Sequence, residues 1–262
     1  MNKLGKIYSD IKEVKIQGAS NIARAAISAY MIKPERETKK KLLSLRPTEP
    51  MLSNALNFFE KEGKEKTIAH FSDAQEKINS LVMKKIRNGM IVYTHCHSSN
   101  VVKALIYAKK KGMKFEVYNT ETRPLFQGRT TSKELAKAGI KVTEWVDAAM
   151  DRAINCANIV LIGSDAILKE GVINKIGSAA IAELAFLHKK PVYVVADSWK
   201  FSPKNVKIEE RNFHEVWANA PSHIKIMNPA FEKVEKKYIK GIISELGILG
   251  FDAFVKKAGK KF

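Results

Sequence analysis

Apolar and polar positions follow two different rhythms along this chain. Up to about Gly89 the apolar residues recur at helical spacing. Ile7, Ile11, Val14, Ile22 and Ala26 mark amphipathic turns, and LSNALNFFEKEG and AQEKINSLVMKKIRNG read as two further helices. From Met90 the pattern becomes short Val/Ile-rich runs, IVYTH, KFEVYNT, KVTEWV, NIVLIG and PVYVVAD. Helical stretches separate them: NVVKALIYAKKKG, TSKELAKAG, AAMDRAINCA and IGSAAIAELAFLHKK. Continuous apolar strands alternating with helices predict a parallel sheet covered on both faces. The expected fold class is therefore α/β, a Rossmann-like doubly wound, mainly parallel sheet preceded by a small all-α N-terminal domain. The boundaries drawn are 1–88 for the helical domain and 89–262 for the α/β domain.

In such sheets ligands bind beyond the carboxyl ends of the strands. The residues there form a coherent set: HCHSSN after the first strand, TETRPLFQGR after the second, SD and then GVINKIGS after the fourth, DSWKFSP after the fifth. Cys96 lies between a strand end and a helix start, where backbone N–H groups and the helix dipole favour a thiolate. The same position also suits a structural thiol beneath a turn. Asp165 follows a wholly apolar strand, where partial desolvation would raise its pKa and make it an acid near neutral pH; a capping role is the alternative. Arg46, Arg123, Arg129, Lys175 and Lys200 stand at turns beside Gly and Ser and offer donors to phosphate oxygens. Gly177 and Ser178 open a helix and offer a further phosphate cradle.

Composition narrows the field. The chain has 262 residues, 45% hydrophobic and 28% charged, the balance of a folded protein. No apolar run reaches the roughly 18 residues needed to span a bilayer, and the first residues lack a secretory apolar core, so a cytoplasmic location is expected. Lysines and arginines total 46 against 27 acidic residues, a formal charge of +19. They are spread along the chain without a compact tract or aromatic stacking motifs, which favours a polyanionic small substrate over dedicated nucleic-acid binding. Of the two cysteines, Cys156 in AINCANIVLI reads as a small core residue. His95 and His97 flank Cys96, but no second ligand pair stands at suitable spacing, so no metal is expected. Walker and dinucleotide patterns are missing, so neither ATP nor NAD is implied.

Taken in order, QGAS at 17–20, LRPT at 45–48, THCHSS at 94–99, ETRPLFQGR at 121–129, GSDAI at 163–167, NKIGS at 174–178, DSWKFSP at 197–203 and NPAF at 228–231 span nearly the whole chain. The series resembles the archaeal ribose 1,5-bisphosphate isomerases, a family that includes methylthioribose 1-phosphate isomerases and the regulatory subunits of translation initiation factor 2B. The resemblance implies an aldose-ketose isomerase acting on a phosphorylated pentose, in nucleotide salvage by way of AMP. It implies Cys96 as proton acceptor, Asp165 as proton donor, and Gln17, Gly18, Ala19, Ser20, Arg46, Ser98, Asn174, Lys175 and Lys200 around the substrate. No cofactor is implied, and a homo-oligomer, dimer or hexamer, is. The alternatives are a non-enzymatic regulator that meets a translation factor or RNA, and methylthioribose 1-phosphate isomerase. Gln17 stands where the isomerases generally carry arginine, which removes one cation from a phosphate site.

Overall fold

The apolar runs alternate between two faces, and each face collects its own layer of helices. In the computed structural model, which describes residues 2–13, 15–16, 18–46 and 49–261, five helices come first: α1 (Lys3–Lys12), α2 (Ala19–Ile32), α3 (Arg36–Leu45), α4 (Pro50–Glu62) and α5 (Lys64–Met83). Then β1 (Ile91–His95), α6 (Ser99–Lys110), β2 (Glu116–Thr120), α7 (Gln127–Lys137), β3 (Lys141–Trp145), α8 (Met150–Cys156) and β4 (Ile159–Ile162) follow. The chain continues through β5 (Ala166–Leu168), β6 (Gly171–Lys175), α9 (Ser178–Leu187) and β7 (Val192–Val195). It ends with β8 (Phe231–Glu235), β9 (Gly241–Ser244), β10 (Gly247–Leu249) and α10 (Phe251–Ala258).

Seven strands form the main sheet in the order β10-β9-β7-β4-β1-β2-β3, all parallel except β10, which pairs antiparallel with β9. The six parallel strands have the Rossmann order, so the doubly wound expectation holds. Successive residues along each strand face opposite ways. Val92, Ile159, Leu161, Val195 and Ile243 pack with Ile78, Val82, Leu105 and Leu135 of α5, α6 and α7. Tyr93, Val160, Ile162, Val194 and Ile242 pack with Ile154, Ile181 and Phe254 of α8, α9 and α10. A separate antiparallel sheet, β5-β6-β8, lies outside the sequence expectation. GVINK, read from the sequence as loop, is its central strand.

The helical part has its own core around Ile22, Ala26, Leu42, Leu52, Leu56 and Phe71. Trp199, from the turn after β7, belongs to this core, and Asn54 Nδ2 donates to the carbonyls of Trp199 (2.7 Å) and Phe201 (2.9 Å). α5 reaches from this core to the sheet, since Phe71 packs in the former and Ile78 and Val82 on the latter. The helices are thus fixed over the carboxyl ends of the strands, where a cleft opens. Cys156 departs from expectation: it is exposed, because on α8 the buried positions are Ala153 and Ile154 and the cysteine points away from that face. Among the described residues no helix is long and apolar enough to cross a membrane.

Candidate active site

At β1 and β4 the chain crosses over in opposite directions, so the crevice between their carboxyl ends is the switch point where ligands bind in this topology. Cys96 follows β1 and Asp165 follows β4 within three residues of Ile162. Cys96 has a left-handed backbone, φ 63°, a conformation that costs a non-glycine residue about 1 to 2 kcal/mol. Two bonds offset it. Cys96 N–H donates to Thr122 Oγ1 (3.0 Å), and Thr131 Oγ1 donates to the Cys96 carbonyl (2.7 Å). Opposite, Gly163 admits the loop that follows β1: a Cβ there would stand 2.6 Å from both Cβ and Oγ of Ser98. The Asp165 N–H donates to Ile173 O (2.9 Å), which ties it to β6 and hence to Asn174 and Lys175.

The result is a cleft of about 390 Å³. Cys96, Asp165, Gly18, Ala19, Ser20, Arg46, Ser98, Asn174, Lys175 and Lys200 all line it, ten positions drawn from both ends of the chain. Gln17 lies outside the described residues. The first turns of α2 and α6 open on the cleft at Ala19–Ser20 and Ser98–Ser99, each presenting the positive end of a helix.

Several expectations do not hold. Arg123 and Arg129 lie outside the cleft: Arg123 donates to Val216 O (3.1 Å) and Arg129 pairs with Glu121 (2.7 Å). Gly177 and Ser178 are also outside it, and the N–H of the next residue, Ala179, already donates to Glu232 Oε1 (2.9 Å), so a carboxylate occupies that helix start. Arg46 does line the cleft and is paired there, its guanidinium 3.3 Å from Glu49 and 3.4 Å from Glu209. His95 is fixed from both sides, with Nε2–H donating to Ile176 O (2.9 Å) and Nδ1 accepting from Thr120 Oγ1 (2.6 Å). Burial holds its pKa below the usual range, so it is a neutral strut. His97 bonds Thr131 Oγ1 (3.1 Å), the hydroxyl that holds the Cys96 carbonyl.

Sequence reasoning missed Glu49, which also lines the cleft and is 4% exposed. A glutamate before a proline reads as a helix start on the surface; here it precedes α4 and is buried, with the Arg46 guanidinium 3.3 Å away. It also missed a group behind the cleft, His70, Asp197 and Glu245, whose ligand atoms lie within 4.8 Å of one another. His70 Nε2 sits 3.1 Å from both Asp197 oxygens and its ring stacks on Trp199 at 3.7 Å. Three such groups are of the kind that hold a cation, yet none of them lines the cleft.

Burial governs the electrostatics. It pushes the Cys96 thiol up to about 11, with Lys175 opposing and Asp165 adding to the rise. The thiolate expected at a helix start is therefore disfavoured in the ligand-free cleft, because desolvation outweighs the dipole. Alkylation reads this directly. At pH 7.5 iodoacetamide should label exposed Cys156 well before Cys96, and Cys96 labelling should climb steeply towards pH 10. Equal rates at pH 7.5, resolved by peptide mass spectrometry, would contradict the assigned direction.

Asp165 is raised by burial against the pull of Lys200, Lys175 and Arg46. Glu49 is raised to about 8 by burial and by Asp165, against Arg46. A carboxyl raised in the folded state binds a proton that the unfolded chain releases near its ordinary 4.5. The contribution of Glu49 to stability is then fully present at acid pH, falls as pH rises from about 4.5 to about 8, and levels off above, by on the order of a few kcal/mol. Glu49→Gln should remove most of that slope. Urea midpoints of both proteins at pH 5.5 and 8 test it: wild type should lose stability relative to Glu49→Gln between the two pH values, and a gain relative to that variant would refute the sign.

The chain is similar along most of its length to several known proteins. A model of the initiation factor 2 subunit family matches residues 20–250. A ribose 1,5-bisphosphate isomerase of Archaeoglobus fulgidus is 36% identical over 285 residues, covering 95% of this chain and 90% of the relative. The protein of that name from Methanocaldococcus jannaschii is 35% identical, with 95% and 92% covered. The crystal structure of the Pyrococcus horikoshii translation initiation factor eIF-2B superposes with a TM-score of 0.85 at 26% identity, covering 95% of this chain and 98% of that one. The fold is also that of 5-methylthioribose 1-phosphate isomerase from the same organism, with a TM-score of 0.77 at 23% identity, covering 98% of this chain and 88% of that one. With a family match over most of its length and relatives above 30% identity across nearly all of it, the chain belongs to the initiation factor 2 subunit family.

Proposed function

We propose that this protein is an aldose-ketose isomerase that converts ribose 1,5-bisphosphate to ribulose 1,5-bisphosphate with Cys96 and Asp165 as its proton-transfer pair. The observation that carries the reading is the convergence of those two groups, from the two strands at the switch point, in a cleft that also holds Lys175, Lys200 and Arg46. The relatives named ribose 1,5-bisphosphate isomerase supply the substrate.

A ribose phosphorylated on O1 cannot open to an aldehyde by itself, so the reaction must break C1–O4 while the C2 proton leaves. Cys96 as thiolate takes that proton, the C1=C2 bond forms, C1–O4 breaks and Asp165 protonates O4. The enol phosphate then takes the proton back from Cys96 at C1, and its C2 hydroxyl returns a proton to Asp165, giving the ketone and restoring both groups. Atoms and charges balance with no cofactor. A C2 proton is weakly acidic, and a thiolate of high pKa is the stronger base towards it; the cost is a small ionised fraction, which Lys175 opposes. Lys175, Lys200, Arg46, Asn174, Ser98 and the α2 start from Gly18 to Ser20 surround the substrate, and Gln17 adjoins them in sequence.

The raised Asp165 pKa supports the proton-donor role. Incubation of purified protein with ribose 1,5-bisphosphate, with the ketose read by mass spectrometry and carbon NMR, tests the proposal. Absence of ketose at saturating substrate refutes it. Turnover of methylthioribose 1-phosphate instead would assign the other isomerase reaction. The similarity to eIF-2B favours a second reading, a regulatory subunit that meets translation factors. Co-purification with translation components and inertness towards both sugars would select it. The reading also includes a cytoplasmic location and a homo-oligomer, which exposed Phe186 and Leu187 at the end of α9 support.

A further inference from the structure

Behind the cleft the backbone turns left-handed at two residues that are hydrogen-bonded to each other, Cys96 (φ 63°) and Thr122 (φ 61°). Threonine is branched at Cβ and is crowded in that conformation, so Thr122 is the less expected of the two. The bonds around it explain why it stays there. Its N–H donates to Asp147 Oδ1 (2.9 Å), the Arg123 N–H donates to Asp147 Oδ2 (2.7 Å), and the Glu121 N–H donates to Trp145 O (3.0 Å). One carboxylate beyond β3 thus closes on two successive amides of the loop after β2, with the strength of charge-assisted bonds. The Thr122 hydroxyl donates to Thr120 O (3.1 Å), which leaves a lone pair for the Cys96 N–H at 3.0 Å. Thr122 is buried, and neither it nor Asp147 lines the cleft, so both act on a ligand only through Cys96.

We propose that Asp147 and Thr122 are positioning residues that act in series on the thiol: Asp147 holds Thr122 in its left-handed turn, and the Thr122 hydroxyl holds Cys96 in its own. The proposal rests on the isomerase reading for the reaction that the thiol serves. Without the Thr122 oxygen the Cys96 N–H has lost its acceptor, and nothing on that side opposes a return to negative φ. Such a return swings the side chain, and a misplacement of about 1 Å can cost on the order of 10² in rate. Asp147 has a second influence that the test must separate from this one. Burial raises the Cys96 pKa most, and the Asp147 charge adds to the rise. Asp147→Asn removes that charge and keeps an oxygen for one of the two amides, whereas Asp147→Ala removes both.

Turnover of ribose 1,5-bisphosphate by the full-length protein reads the series. Thr122→Val keeps the branched shape and deletes the acceptor, so kcat should fall by on the order of thirtyfold with KM within about twofold. Thr122→Ser, which keeps the hydroxyl, should stay within about threefold of wild type. Asp147→Ala should lower kcat by on the order of tenfold, and Asp147→Asn by clearly less. The double variant Thr122→Val with Asp147→Ala should be no slower than Thr122→Val alone, because Asp147 reaches Cys96 only through the hydroxyl already removed. Iodoacetamide labelling at pH 9, without substrate and with Cys156 as internal reference, reads the geometry independently of turnover. Released from its enclosure, Cys96 should label at least about threefold faster in Thr122→Val, and in Thr122→Ser at the wild-type rate. Multiplying losses in the double variant, Thr122→Ser no better than Thr122→Val, or unchanged Cys96 labelling in Thr122→Val would overturn the proposal. Should circular dichroism show Thr122→Val unfolded, equal kcat in Asp147→Ala and Asp147→Asn would overturn it instead. An inert wild type with the labelling pattern intact would count against the proposed reaction and leave the positioning role standing.

Discussion

Cys96→Ser should lower kcat by about three orders of magnitude or more, with KM little changed. A hydroxyl occupies nearly the volume of the thiol but is far less acidic, so the base is lost while the cleft keeps its shape. General acid–base contributions of about 10² to 10⁴ are typical, and the same sulfur acts twice per turnover, as base at C2 and as acid at C1. Asp165→Asn should cost a similar factor for a different reason. The amide holds the position and the hydrogen bonding but has no proton to give to O4, so C1–O4 cleavage loses its acid. Substrate carrying deuterium at C2 separates these roles from a loss of fold. In wild type part of the label should reappear at C1 of the ketose, because one thiol carries the proton between the two carbons. Retention of near-normal kcat by Cys96→Ser, with a circular dichroism spectrum like that of wild type, would sink the assignment.

The parts of this site that were legible in the sequence are those determined locally. Val and Ile runs such as NIVLIG and PVYVVAD announce buried parallel strands, and polar residues beyond them announce strand ends; Cys96, Asp165, Lys175 and Lys200 follow from that rule, whereas Asn174 comes only with the family resemblance. What escaped depends on contacts across long stretches of chain. GVINK reads as a loop because its near partner, β5, is only three residues long and its other partner, β8, lies some sixty residues further on and completes the small sheet only in space. α3 escaped because its sequence RETKKKLLSL buries only Thr38 and Leu42. Cys156 has apolar neighbours, but helical rotation rather than neighbourhood decides which way it points. The ionisation of Cys96 was misjudged for a related reason. The helix start is visible in the sequence, whereas the enclosure that outweighs it is assembled by β4, β6 and the loop after β2. Glu49 combines both difficulties, a surface-like sequence context and a burial produced by distant elements.

Lys200→Met should cost both activity and stability, and the stability loss should depend on pH in a way that simple packing cannot mimic. Lys200 is 5% exposed, donates from Nζ to Asn100 Oδ1 (3.3 Å), and is the cation in the field of Asp165, Asp197 and Glu49. Burial alone lowers its pKa, and those three carboxyl groups work to raise it. Methionine keeps the length and the apolar stem but removes the charge, leaving Asp165, Asp197 and Glu49 without it. Breaking one side of a buried charge cluster typically costs about 3 to 5 kcal/mol. Here the penalty should be met mostly when the carboxyl groups are ionised. At pH 8 the variant should lose on the order of 3 kcal/mol in urea denaturation, and at pH 5.5, where raised carboxyl groups hold their protons, clearly less. kcat/KM should fall by at least about 10², since the substrate loses a cation beside Asp165. Lys200→Arg restores the charge but brings a longer, planar group into a closed site, so it should recover the pH dependence of stability more fully than it recovers turnover. An equal stability loss at both pH values would show that Lys200 acts through its hydrocarbon stem, and the charge balance assigned to the cleft would have to be withdrawn.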